Sequence, residues 1–131
     1  LNEYMDLLRH LSDSSDCYYV IAEDKTTSQP IGTCCAVVKE NGACWDIGYC
    51  IHPTAWHKGY AKEMVRALMD FGIQKGVRTF LADVAADNAA SCAVMHSLGF
   101  VGAENGTFRR GGTSVEYRNL TFRKEVAELQ N

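Results

Sequence analysis

The segment Trp56-His57-Lys58-Gly59-Tyr60-Ala61 joins a strand-like run to a helix-like run, and its residue types suit phosphate binding. The N-terminus of a helix presents unpaired backbone N–H groups and a partial positive charge, so it binds anions without special side chains. Gly59 permits a positive φ or a close approach to a ligand, and the small Ala61 keeps the first turn open. His57 and Lys58 add positive charge. The alternative is a glycine that merely tightens a turn, because single-glycine motifs are weak signals.

Asp46 is a candidate catalytic residue, because it is a carboxylate inside the apolar run Cys44-Trp45-Asp46-Ile47-Gly48-Tyr49. Burying an unpaired carboxylate is costly, so such a residue needs a partner or a chemical role. One interpretation is a general base. The other is an edge or solvent-facing aspartate that a hydrogen bond holds in place.

Six cysteines raise the question of disulfides or a metal site; they are Cys17, Cys34, Cys35, Cys44, Cys50 and Cys92. Five lie in strand-like runs and one in a helix-like run, and no C-x-x-C pair is present. Adjacent residues of a strand point to opposite faces, which separates the side chains of Cys34 and Cys35. We therefore expect buried free thiols in a reducing cytoplasm, and no metal site.

Composition narrows the function classes. The 131 residues suit one domain, and the 47% hydrophobic content suits a packed core. No stretch approaches the roughly 20 apolar residues of a membrane span, and no signal-peptide pattern opens the chain. The net charge of −3 and the pI near 5.8 disfavour nucleic-acid binding. We expect a cytoplasmic protein that binds neither membrane nor nucleic acid.

Hydrophobic periodicity predicts the elements that position these residues. The pattern predicts, in chain order, helix Asn2–Leu11, strands Cys17–Glu23, Ile31–Val38 and Ala43–Ile51, helix Tyr60–Lys75, strand Thr79–Ala85, helix Ala89–Leu98, and strands Phe100–Ala103 and Ser114–Phe122. A basic, glycine-rich turn at Arg109–Gly112 separates the last two. This order predicts a single α/β (α+β) domain, with a mixed central β-sheet and helices on both faces.

The run from Trp45 to Phe100 resembles the GCN5-related N-acetyltransferase (GNAT) family, especially its ribosomal-protein-acetyltransferase-like (RimJ/RimL-type) branch. The family's pyrophosphate motif, Arg/Gln-x-x-Gly-x-Gly/Ala, is matched by Trp56 to Ala61, with Trp in the first place. A second element, strand–Asn–helix–Leu-Gly-Phe, is matched by Val84, Asn88, Ser91, Leu98, Gly99 and Phe100. Two motifs at the right separation are much stronger evidence for this family than either motif alone.

The resemblance implies acetyl-CoA (coenzyme A) as the cofactor and assigns residues to it. The strands ending near Ile51 and Val84 would splay apart, and backbone groups around Cys50 and Ile51 would pair with the pantetheine arm in the gap. Amides of the loop would hold the pyrophosphate, and these belong to His57, Lys58, Gly59, Tyr60 and Ala61. Asn88 and Ser91 would contact the cofactor from the other side, although Asn88 is equally a helix N-cap.

The resemblance also implies direct attack of a primary amine, from a protein N-terminus or a small molecule, on the acetyl group. The amine must lose a proton, and some family members carry a base at the position of Asp46. The family's acidic tyrosine, seven residues after the motif's asparagine, is here Met95, which cannot donate a proton. His96 adjoins it, and the weaker candidates for the acid are Tyr49, Tyr60 and Cys50.

Two alternatives come from other classes: a catalytically degenerate acyl-CoA-binding module, and a nucleotide-binding protein, which the absence of a full phosphate-binding glycine motif disfavours. By comparison with the family pattern, we expect residues 1–131 to form one N-acetyltransferase domain that is truncated at its N-terminus and lacks the first strand. That loss would leave Cys17–Glu23 as an unpaired edge. We therefore expect a longer gene product, or a partner chain over this edge as in a homodimer.

Overall fold

The computed structural model describes residues 5–11, 17–53, 59–109 and 116–126. Its strands are β1 Met5–Leu11, β2 Cys17–Asp24, β3 Pro30–Lys39, β4 Cys44–Ile51, β5 Thr79–Ala85, β6 Val101–Arg109 and β7 Glu116–Glu125. Its helices are α1 Tyr60–Gln74 and α2 Ala89–Ser97, with a short 3-10 turn at Glu40–Gly42. None of the helices in these ranges is long and apolar enough to cross a membrane. Of the basic turn, residues 110–112 lie outside the described ranges.

The described strands form one sheet in the order β1-β2-β3-β4-β5-β7-β6. Only β4 and β5 are parallel, and every other neighbouring pair is antiparallel. The α1 helix makes the crossover that a parallel pair requires. This mixed sheet with its helices confirms the predicted α+β class.

The N-terminal segment differs from its prediction. Residues 5–11 are a strand and not a helix, and they pair with β2 from Met5 opposite Asp24 to Leu11 opposite Tyr18. Their apolar residues fit a period of two as well as a helical one, and pairing with a neighbouring strand overrides such weak local preference. The prediction that no strand precedes Cys17–Glu23, leaving that strand as an unpaired edge, is therefore wrong. Residues 2–4 of the predicted helix lie outside the described ranges.

The predicted placement of helices on both faces is also wrong for the described residues, because α1 and α2 share one face. Gly72 of α1 lies so close to Trp45 and Phe80 that an added Cβ would come within 3.0 Å of both rings. His96 of α2 packs edge-on against Phe122, with ring centroids 5.2 Å apart. Register places these strand residues on the same side of the sheet.

Side-chain alternation explains that choice of face. On the helix face, defined as the one that contacts α1 and α2, the strands bury Val20, Ala22, Cys34, Ala36, Trp45, Ile47, Phe80, Ala82 and Phe122. The opposite face, here called the open face, carries Asp46, Asp83, Thr121 and Arg123. Only the first face offers the described helices an apolar surface to bury.

Candidate functional site

A gap opens between the two parallel strands. Strand β4 pairs with β5 only where Cys44, Trp45 and Asp46 meet Thr79, Phe80 and Leu81. Beyond that point β4 continues to Ile51 along β3, and β5 continues to Ala85 along β7. The strands therefore splay, as the family resemblance implies, and residues 47–51 and 82–85 border the gap.

Backbone direction decides which residues of β4 face the gap. The His52 N–H donates to the Ile31 carbonyl of β3 at 2.7 Å. A Cβ added to Gly32 of β3 would lie 2.2 Å from the Cys50 carbonyl oxygen, so that carbonyl also points to β3. Because backbone groups alternate along a strand, the N–H and C=O groups of Tyr49 and Ile51 point toward β5.

This alternation sharpens the predicted cofactor contacts of Cys50 and Ile51. The backbone of Ile51 is directed to the gap, whereas any contact by Cys50 falls to its side chain, which is exposed. Tyr49 is the residue that the sequence motifs missed for this role. The register of β4 against β3 identifies it, because that register fixes which residues of β4 alternate outward.

The turn into α1 has the conformation that glycine was expected to provide. Gly59 adopts φ +79°, and an added Cβ would meet no atom of the described residues within 4 Å. The Glu63 N–H donates to the Gly59 carbonyl at 3.3 Å, so the amides of Tyr60 and Ala61 precede this helical bond. They lie at the positive end of α1, near the open end of the gap. The predicted contacts His57 and Lys58 lie outside the described residues.

The start of α2 borders the gap from the β5 side. Asn88 is its N-cap, and its side-chain oxygen accepts a hydrogen bond from the Ser91 N–H at 3.1 Å. The prediction of a helix cap is thus confirmed. A cofactor contact by Asn88 or Ser91 stays a prediction, and it is compatible with the cap because the cap uses the oxygen only.

Tyr49 reaches from β4 toward the first turn of α2. Its hydroxyl is buried and has no hydrogen bond of good geometry to the described residues. Burial raises the pKa of Tyr49 above 10, the Ser91 side chain lowers it in part, and the Cys92 thiol raises it. Native proteins contain few such unsatisfied buried groups, and each calls for an explanation such as a role in binding or catalysis.

Met95 stands where the family resemblance places an acidic tyrosine, and the structure makes it a packing residue. Its side chain is fully buried in the core beneath α2. His96, the neighbouring candidate, lies against the Phe122 ring and is exposed. Met95 cannot donate a proton, and His96 packs against β7, which is not one of the two strands that border the gap.

Asp46 lies on the open face at the closed end of the gap, opposite Leu81. Its Oδ2 is 3.3 Å from the Lys39 Nζ, and its side chain retains 28% of its accessible surface. The alternative prediction was an edge or solvent-facing aspartate held by a hydrogen bond. β4 is not an edge strand, but the carboxylate is partly exposed and accepts a hydrogen bond from Lys39. A role as general base stays a prediction.

The six cysteines are free thiols. Burial, together with the neighbouring Cys35, raises the pKa of Cys34 to about 12. Cys44 is also buried, and burial raises its pKa. The prediction of buried thiols is therefore confirmed for Cys34 and Cys44 only. Cys17, Cys35 and Cys92 are half-buried, and Cys50 is exposed near the C-terminal end of β4.

Comparison with known proteins agrees with this geometry. The family model described as "Acetyltransferase (GNAT) domain" matches residues 2–101. The Bacillus subtilis protein YkkB, described as uncharacterized, is 38% identical over 84 residues, which is 60% of this chain. The Bacillus licheniformis N-acetyltransferase p20, also described as uncharacterized, is 35% identical over 79 residues, or 58% of this chain. The chain spans about half the length of these curated relatives, with 48% and 44% covered.

Solved structures share the fold at low identity. Spermidine N-acetyltransferase from Vibrio cholerae, in complex with CoA and spermine, superimposes with a TM-score of 0.70 at 16% identity, covering 82% of this chain and 65% of that one. Ribosomal-protein-S5-alanine acetyltransferase from Vibrio fischeri gives a TM-score of 0.71 at 19% identity, covering 84% and 62%. The splayed strands, the glycine-led helix and the match over residues 2–101 agree: this chain belongs to the GNAT acetyltransferase family.

Proposed function

We propose that the chain is an acetyl-CoA-dependent N-acetyltransferase that transfers an acetyl group to a primary amine by direct attack. One observation carries the proposal. The gap between β4 and β5 opens toward the N-termini of both α1 and α2, because each helix follows the C-terminal end of a strand that borders the gap. Ligands of open α/β sheets bind outside the carboxyl ends of such strands.

The residues around the gap fit a long ligand with an anionic head and an amide-bearing arm. The amides of Tyr60 and Ala61 would hold the diphosphate, beside a Gly59 that no described residue crowds. Backbone groups of Tyr49 and Ile51 are directed toward the arm, and the Tyr49 hydroxyl offers a donor that no described residue satisfies. Acetyl-CoA supplies an acyl group on a good leaving group, whose ordinary thiol pKa of about 8.5 lets it depart without a strong acid.

The amine must become neutral before it attacks, since a lysine-like amine has a pKa near 10.4 in water. We assign this task to Asp46, acting through water and with Lys39 holding its carboxylate in place. Preorganised backbone N–H groups at the rim of the gap would stabilise the oxyanion. No nucleophilic side chain is needed.

The acceptor class follows from the chemistry and from the neighbours in fold. The names of two similar structures give spermine and an alanine of ribosomal protein S5. Spermine presents primary amines, and an alanine presents one when it begins a chain. We assign the chain to the ribosomal-protein-acetyltransferase-like branch, with an aliphatic primary amine as acceptor. We also propose a cytoplasmic location, in line with the free thiols, and a single catalytic domain.

Thermal shift with acetyl-CoA, followed by amine-dependent release of free thiol, tests this function. The panel contains spermidine, a peptide beginning with alanine, and a tertiary amine that cannot be acetylated as the control. We expect protection by acetyl-CoA and thiol release with the primary amines only. Protection by ATP or NAD in place of acetyl-CoA would contradict the assignment.

A second candidate function is an acyl-CoA-binding module without catalysis, which the buried Met95 at the acid position favours. The same experiment separates the two. Protection by acetyl-CoA without thiol release, across every primary amine, would favour the module.

A further inference from the structure

Asp83 occupies a position at the gap that the family motifs do not assign. It lies on β5 between the buried Ala82 and Val84, so its side chain points to the open face, where it is exposed. Leu81 is the last residue of β5 that pairs with β4. Asp83 is therefore the first open-face residue of β5 that borders the gap itself.

Residues of the neighbouring strands fix the carboxylate of Asp83. Its Oδ1 accepts hydrogen bonds from the Thr121 hydroxyl at 2.6 Å and from the Asn119 side-chain amide at 3.2 Å. Thr121 lies directly opposite Asp83 in the register of β5 and β7, and it accepts a further bond from Asn105 at 2.9 Å. Both hydrogen bonds to Asp83 therefore come from β7 and orient one oxygen of the carboxylate, while Asn105 of β6 supports Thr121.

The charge of Asp83 has no counter-ion within the part of the chain that the structure describes. The ion pairs found there join Lys39 to Asp46, Arg118 to Glu104 and Arg123 to Glu125. The described hydrogen bonds to Asp83 all end on Oδ1, which leaves Oδ2 available to a ligand. Asp46, the other open-face carboxylate beside the gap, differs because Lys39 neutralises it.

We propose that Asp83 binds the cationic amine of the acetyl acceptor on the open face of the gap. This inference rests on the proposed acetyl transfer. The helix face of the gap is covered by α1 and α2, so an acceptor reaches the gap from the other side. There Asp83 is a carboxylate without a counter-ion among the described residues. An ammonium carries three N–H donors and forms strong charge-assisted bonds to a carboxylate held in place.

The competing explanation is that Asp83 only ties β5 to β7. Asp83→Asn distinguishes the two, because its side-chain oxygen still accepts from Thr121 and Asn119 while its charge is removed. Asp70→Asn makes the same change on the exposed side of α1, away from the gap, and serves as the matched control.

Spermidine and the alanine-initiated peptide are the probes. We measure kcat and KM for each amine, binding of spermidine by calorimetry, and binding of acetyl-CoA by thermal shift. A lost charge-assisted bond predicts that Asp83→Asn weakens amine binding and raises the amine KM about tenfold to hundredfold. Affinity for acetyl-CoA should stay within about twofold, and Asp70→Asn should match the wild type in every assay.

Unchanged amine KM and spermidine affinity in Asp83→Asn would overturn the inference, as would an equal loss of acetyl-CoA affinity. A wild type that binds neither probe would overturn it too. If the wild type binds spermidine but not acetyl-CoA, the proposed function fails, and spermidine binding by Asp83→Asn still decides the role of Asp83.

Discussion

The helix face and the open face of the sheet use the same strands for different purposes. On the helix face, Trp45 and Phe80 pack edge-on with centroids 6.2 Å apart, and Phe71 of α1 completes the aromatic cluster 5.9 Å from Trp45. On the open face of the same two strands, Asp46 forms an ion pair and Asp83 accepts hydrogen bonds. The comparison indicates that strand alternation puts the residues that stabilise the core and the residues that could do chemistry on opposite faces of the same strands.

The largest expected effect tests the helix face. Phe80→Ala removes a fully buried ring from the aromatic cluster and should lower the free energy of unfolding by about 3–5 kcal/mol. Tyr19→Ala, on the open face and 50% exposed, should cost about 1 kcal/mol or less. Urea unfolding measures both. Equal losses would show that the two faces do not differ in their contribution to stability.

The next largest effect tests the backbone contact between β3 and β4, on the side of β4 away from the gap. A Cβ at Gly32 would overlap the Cys50 carbonyl at 2.2 Å, and neither backbone can yield without moving β3 from β4. Gly32→Ala should therefore destabilise by about 1–3 kcal/mol, the usual cost of overpacking. Gly48→Ala on the same sheet is the control, since its Cβ would meet only the Cys35 sulfur at 3.6 Å. A milder Gly32→Ala than Gly48→Ala would contradict the deduced backbone direction of Cys50.

A smaller effect concerns Tyr49, whose buried hydroxyl has no hydrogen-bond partner among the described residues. Tyr49→Phe keeps the ring and removes the orphan hydroxyl, so the free energy of unfolding near pH 7 should be unchanged or slightly higher. If the hydroxyl serves the cofactor, acetyl-CoA affinity should fall in the same variant. Higher stability with unchanged affinity and turnover would assign Tyr49 to packing alone.

The pH dependence of that variant has a definite sign. Burial raises the pKa of Tyr49 in the folded state above its unfolded value of 10, so the folded protein keeps this proton longer. The associated stability is complete below pH 10 and is lost as the pH rises from 10 through the folded pKa. Wild type should thus lose stability more steeply than Tyr49→Phe in that window, measured by urea unfolding at several pH values. Parallel curves would contradict it.

The smallest expected effect is a difference in chemical reactivity between thiols on the two faces of the sheet. Cys50 is exposed, whereas the helix-face Cys34 is buried with its pKa raised to about 12. A thiol reagent at pH 8 should modify Cys50 in the folded protein and Cys34 only after unfolding, because the thiolate is the reactive species. Mass spectrometry of peptides locates the modification. Early labelling of Cys34 would show that the helix face opens readily.

Local patterns were sufficient where neighbouring residues decide the structure. The helical spacing of Met64, Val65 and Leu68 predicted α1 nearly to its ends, and the turn chemistry of Gly59 and Asn88 is as expected. They failed for residues 5–11, whose apolar spacing suits a strand and a helix equally until β2 pairs with it. In the site, too, neighbouring residues predicted some features, while others depend on residues distant in sequence. Local sequence indicated Asp46 but not Asp83, whose partner Thr121 is 38 residues away.

The short parallel contact between β4 and β5 also bears on how the chain folds. Strands β1 to β4 form successive hairpins, so their contacts join residues close in sequence and can form early. The Thr79–Glu125 contact of β5 and β7 spans 46 residues, so loop closure costs more there. Within the sheet, only three residue pairs then join the hairpin unit β1–β4 to the unit β5–β7, and the gap is the unpaired continuation of that seam. A ligand that bridges it would couple the unfolding of the two units, which native-state hydrogen exchange resolves strand by strand.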